Sequence, residues 1–107
     1  MGATDILSDT QGVDFGPYVK RMVHKVSDNW HKLVPATSES MKGKLAIEFA
    51  IRKDGKVAEM CLVTTSGDVA LDRAAWRGIV ASNPFPALPN DFTGQYLAVR
   101  FRFYYNP

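Results

Sequence analysis

The chain has 107 residues, 46% hydrophobic, 11% aromatic and 22% charged, which suits one soluble folded domain and is too short for two. The single cysteine, Cys61, excludes an internal disulfide framework and a multi-cysteine zinc site, and no apolar run approaches the ~18 residues of a membrane span. The formal net charge of +2 is unevenly placed: Asp5, Asp9 and Asp14 occupy the first fourteen residues without Lys or Arg, and beyond them thirteen basic residues face eight acidic ones. That is a mildly basic domain behind an acidic leader, without the dense cluster of cations that nucleic acid requires.

Residues 1–14 mix Gly, Ser, Thr, Asp and Gln with few large apolars and read as a flexible leader or tether end. They lack the basic start and apolar stretch of a secretory signal, so the expectation is either a cytosolic chain or one whose anchor lies outside it. The domain is read as 15–107. Pro17 suits the first turn of a helix, and Tyr18, Met22, Val26 and Trp30 recur every four residues, with Lys20, Arg21, Lys25 and Lys32 mainly on the other side. The stripe places Trp30 in the core. Pro35 ends this helix, since a residue before proline avoids the helical conformation.

Leu45, Ile47, Phe49 and Ile51 alternate with Ala46, Glu48, Ala50 and Arg52, the period of a half-buried strand. Asp54-Gly55 then predicts a tight hairpin into a return strand over 57–65. Alternation blurs around Met60 to Val63, which fits either burial on both faces or a bulge. Ser66-Gly67-Asp68 marks a break, with Asp68 or Ser66 as cap of a second helix on which Leu71, Ala75 and Ile79 recur. Asn83-Pro84 ends it, and Phe85 and Leu88 in the Pro-rich connector are expected to plug the core. The last strand spans about 95–105, with Leu97, Val99, Phe101, Phe103 and Tyr105 on one face and Tyr96, Ala98, Arg100, Arg102 and Tyr104 on the other.

The order predicts an α+β fold, two helices packed on one face of a three-stranded antiparallel sheet (α-β-β-α-β). A right-handed return through the second helix places the last strand beside the first, at a sheet edge.

No catalytic constellation is legible. His24 and His31 sit seven apart on a helix without a carboxylate or thiol to complete a metal set, and read as solvated. Thr64 stands where a nucleophile elbow needs glycine before Ser66. Cys61 reads as a small buried hydrophobe, and Asp72, though within reach of Arg73 or Arg77, as a solvated helical charge. Gly43, Gly55, Gly67 and Gly78 are too scattered to cradle a phosphate. No enzyme activity, cofactor or metal is expected.

The ordered pattern resembles the C-terminal domain of the TonB/TolA family. Its carriers are Asn29-Trp30 with Pro35 beyond, Gly43-Lys44-Leu45-Ala46-Ile47-Glu48-Phe49, Asp54-Gly55-Lys56-Val57, the block from Ser66 to Ala75, the connector from Pro84 to Pro89, and the final Phe-Arg-Phe-Tyr-Tyr strand. Val34-Pro35 stands where the TonB branch has a Tyr-Pro pair that engages the transporter. The Ser-Gly-Asp block and the connector look nearer to TolA, whose domains often carry a cysteine pair. The resemblance implies a periplasmic domain tied through a missing N-terminal region to the inner membrane and its ion-driven motor proteins, and gripping a segment of an outer-membrane transporter. A TolA-like envelope-assembly domain is the alternative, and a nucleic-acid module using Lys20, Arg21, Lys25 and Lys32 a remoter one; no nucleic-acid partner is expected.

Strand addition suits that task. An edge strand offers its outward N–H and C=O groups to an extended peptide. The expected partner-binding residues are Tyr96, Leu97, Ala98, Val99, Arg100, Phe101, Arg102, Phe103 and Tyr104, with Val34 and Pro35; Arg100 and Arg102 would meet acidic residues of the ligand, and Tyr96 and Tyr104 its apolar ones. The same edge could pair with its twin in a homodimer.

Overall fold

The apolar stripe from Tyr18 to Trp30 becomes the buried side of α1 (Gly16–Leu33) in the computed structural model, which describes residues 2–33 and 43–105. Asp14 Oδ1 accepts from the Gly16 N–H at 2.9 Å, satisfying one of the donors a helix start leaves open. Val34 and Pro35 lie outside the described residues.

The hairpin forms from β2 (Gly43–Arg52) and β3 (Val57–Thr64). Gly55 takes φ +92 at the turn, and its N–H donates to the Arg52 carbonyl at 2.8 Å. The blurred alternation of β3 is a bulge: its register with β2 shifts twice, and Glu59 adopts φ +55. As β3 is the outermost strand on its side, the rotated residues from Cys61 to Thr64 are exposed. Cys61 is therefore a surface thiol, contrary to expectation, because no described element covers that end of the strand.

Asp68 caps α2 (Val69–Ser82), its Oδ1 accepting from the Leu71 N–H at 3.1 Å. The helices cross closely where a Cβ on Gly78 would meet the Trp30 Cβ at 3.1 Å. Asn29 Nδ2 donates to the buried Ser82 hydroxyl at 2.9 Å, which donates in turn to the Gly78 carbonyl. Phe85 and Leu88 plug the core as expected, and the connector is pinned to the hairpin turn by the Phe85 N–H donating to the Gly55 carbonyl at 2.9 Å.

The last strand is β4 (Tyr96–Tyr105), antiparallel to β2 through all ten of its residues. Its inward residues Leu97, Val99, Phe101, Phe103 and Tyr105 are buried with Leu45, Ile47, Phe49 and Ile51 beneath the two helices.

Among the described residues the sheet has four strands, not three, with β1 (Gly2–Ile6) added in the order β1-β4-β2-β3, and the element order is β-α-β-β-α-β. This extra strand is drawn from the stretch read as leader. It pairs antiparallel with β4 from Gly2 opposite Phe103 to Ile6 opposite Val99. Five residues with one large apolar side chain carry too little alternation to predict a strand; the open hydrogen-bonding edge of β4 supplies the partner that local sequence cannot. β4 is consequently an interior strand, and its expected placement at the edge is corrected.

Candidate partner-binding surface

Both helices lie on one side of the sheet, and among the described residues no helix covers the other side. On β4 this open face carries Tyr96, Ala98, Arg100, Arg102 and Tyr104, the alternation read from the sequence. Tyr96 is 55% exposed. Ala46 and Ala50 of β2 form a low floor between the longer side chains, buried because those neighbours close over them.

The two arginines are paired within the chain. Arg100 directs both Nε and Nη2 at Glu48 Oε2, at 2.8 and 2.6 Å. Glu48 stands opposite it on β2, so the pair follows from the register. Arg102 donates through Nη2 to Asp5 Oδ1 of β1 at 3.1 Å, one diagonal step away. These side chains remain roughly two-fifths or one-third exposed, so the pairs set orientation more than stability. Beside them a groove of about 460 Å³ runs over Ala46 between Lys44, Thr64, Arg102 and Tyr104.

The outward main chain of β4 is occupied. Beyond the paired residues, the Leu7 N–H donates to the Ala98 carbonyl at 2.8 Å, and the Ala98 N–H donates to the Ser8 hydroxyl at 2.9 Å. Gln11 Oε1 accepts from the N–H and hydroxyl of Thr93 at 3.0 and 2.8 Å, tying the following turn to the start of β4. The structure thus brings the predicted residues from Tyr96 to Tyr104 together on one strand and places one of the chain's own segments against it. Sequence reading missed Asp5 and Glu48 as the arginines' partners. Glu48 was recoverable once β2 and β4 were placed side by side; Asp5 lay in a stretch with no strand signal.

Burial of the Asp72 carboxyl opposes its charge, but hydrogen bonds from the Thr65 hydroxyl and from the Ser66 N–H and hydroxyl outweigh it and hold its pKa below the usual value. Asp72 therefore braces the entry to α2 in place of pairing with Arg73 or Arg77. Lys25 on α1 donates to the Pro84 carbonyl at 2.8 Å, and His24 lies 3.4 Å from Asp28. Among the described residues there is no cluster of His, Cys, Asp or Glu able to hold a metal ion, and no helix long and apolar enough to cross a membrane.

The family model of the TonB C terminus matches residues 15–103. The chain belongs to the TonB C-terminal family. Its fold is shared with the TonB C-terminal domain of Helicobacter pylori, residues 179–285, solved in solution by NMR: TM-score 0.67, 18% identity, covering 92% of this chain and 91% of that one. No curated protein matches the chain. In this TonB C-terminal domain the matched span holds both helices, the hairpin and most of β4, whereas β1 falls outside it.

Proposed function

We propose that this TonB C-terminal domain works in the periplasm as the gripping end of a TonB-like energy transducer. In this reading it is joined through sequence upstream to the inner membrane and its ion-driven motor proteins, takes hold of a short extended segment of an outer-membrane transporter, and passes on their pull. The observation that carries the reading is β1 itself: an extended segment already sits antiparallel on β4 with an acidic side chain on Arg102. A transporter segment takes the same position by replacing β1.

Replacement changes the energetics from those of a free edge. Each main-chain hydrogen bond the newcomer gains is one that β1 gives up, so the exchange is nearly neutral in backbone terms. Ordering the newcomer costs ~1–2 kcal/mol per residue, offset in part by the freedom β1 recovers. Side chains against Arg100, Arg102, Tyr96 and Tyr104 supply the surplus, and an isolated peptide is expected to bind on the order of micromolar.

A second reading rests on β3, whose outer side has no strand neighbour among the described residues and where Leu62 and Val63 are 40% and 44% exposed. Calorimetric and NMR titration of the full chain with the N-terminal extended segment of a TonB-dependent transporter separates the two. Amide shifts concentrated in β1 and β4 support replacement of β1; shifts confined to β3 favour addition at that edge. Absence of binding defeats the gripping function.

A further inference from the structure

Among the described residues, the two buried side-chain polar atoms without a hydrogen-bond partner are Thr4 Oγ1 and Arg102 Nε, and both lie in the contact between β1 and β4. Buried polar groups are ordinarily satisfied, so two orphans in one short strand pairing mark a poor match. No other described residue shares the defect.

The cause is readable residue by residue. Thr4 stands opposite Phe101, whose side chain faces the helices and the core, so the Thr4 hydroxyl is carried to the apolar side of the sheet. Ile6, opposite Val99 on that side, packs against the core as an apolar residue should. Asp5 faces the open side but reaches only Nη2 of Arg102. Arg100 provides the internal standard: the longer side chain of Glu48 receives both its Nε and its Nη2. An aspartate is one methylene too short to do the same for Arg102 from the neighbouring strand.

Building on the strand-replacement reading above, we propose that β1 is an imperfect resident stand-in, and that the segment which best fills its place carries an apolar residue in the Thr4 slot, a glutamate in the Asp5 slot and an apolar residue in the Ile6 slot. The Val-sized side chain removes a stranded hydroxyl from the core side, and the glutamate gives Arg102 the two-donor contact that Arg100 already has. A better-matched newcomer thereby outcompetes a segment that has the advantage of being attached. A perfectly matched β1 would hold β4 closed; its two defects leave it displaceable.

The test uses the full chain and needs no transporter. Amide hydrogen exchange is followed at Asp5 and Leu7, whose N–H groups point towards β4, in the wild type, Thr4→Val, Asp5→Glu and Thr4→Ser. Thr4→Val and Asp5→Glu should each slow exchange about fivefold or more, the gain expected from satisfying or removing one buried polar group, whereas Thr4→Ser should not. The capped peptides Gly-Ala-Val-Glu-Ile and Gly-Ala-Thr-Asp-Ile, added at equal millimolar concentration, should accelerate exchange of β1 unequally, the first more. Unchanged protection in both Thr4→Val and Asp5→Glu, or equal effects of the two peptides, overturns the proposal. Failure of a transporter segment to bind would instead defeat the gripping function while leaving these exchange rates as predicted.

Discussion

Trp30 donates its indole Nε1–H to the Tyr105 hydroxyl at 2.7 Å, and that hydroxyl donates to the Leu71 carbonyl at 3.0 Å. One side chain from the end of β4 thus joins α1 to the first turns of α2. The Trp30 and Tyr105 rings also meet edge to face, 5.1 Å between centroids. Tyr105→Phe keeps the ring but leaves the indole N–H and the Leu71 carbonyl without this partner in a buried site. The Leu71 carbonyl keeps its place in the α2 ladder, so the loss is mainly that of the unpaired indole N–H, about 1–3 kcal/mol. Urea denaturation should show that loss as a lower midpoint at unchanged slope.

Alkaline pH should weaken the fold through buried tyrosines. Burial pushes the Tyr18 phenol up to about 12, while its hydroxyl donates to the Pro86 carbonyl at 2.7 Å. Burial also raises Tyr105, against the opposing hydrogen bond from Trp30 and with help from Asp72 and Asp68. In the unfolded chain these phenols ionise near ~10. The folded state holds its protons longer, so their contribution is complete below pH ~10 and, for Tyr18, is lost as pH rises towards 12. Thermal unfolding between pH 8 and 12 should fall steeply above pH ~10, and less steeply in Tyr18→Phe.

Two glycines with positive φ should respond differently to alanine. At Gly55 an added Cβ would lie 1.9 Å from the Phe85 carbonyl oxygen, in the contact that pins the connector to the hairpin. At Gly67 nothing lies within 4 Å. Gly67→Ala should cost only the backbone strain of a left-handed conformation, about 1–2 kcal/mol. Gly55→Ala adds a steric collision and should cost clearly more, measured by chemical denaturation of both variants side by side.

Self-association through a sheet edge can use β3 or the outer side of β1, and β1, five residues long, offers only a short template. The two register shifts of β3 and the positive φ of Glu59 bend the β3 edge away from a straight template. Sedimentation velocity should therefore give a monomer even at high concentration. A concentration-dependent dimer whose amide shifts map to β3 would show that the bulges do not protect it.

Most of the core was legible from periodicity. The stripe from Tyr18 to Trp30, the alternation from Leu45 to Ile51 and that from Leu97 to Tyr105 all end up where their spacing points, because burial of one face is what those spacings encode. Gly55 and Asp68 likewise took their predicted local roles, a turn and a cap being decided within a few residues. The open face of β4 followed from the same alternation, so Tyr96, Arg100, Arg102 and Tyr104 could be named as a set.

What the sequence could not decide is what lies next to what across the sheet. Gly2 to Ile6 has no amphipathic pattern of its own; it becomes a strand because β4 presents donors and acceptors along its open side, and those exist only after β2 and β4 have paired. The same long-range event turns a supposed edge into an interior strand, brings Asp5 to Arg102, and strands the Thr4 hydroxyl against the core side. Side-chain spacing is a local property and is written in the chain. Hydrogen-bond partnership between segments almost a hundred residues apart depends on the assembled sheet, and only the tertiary structure settles it.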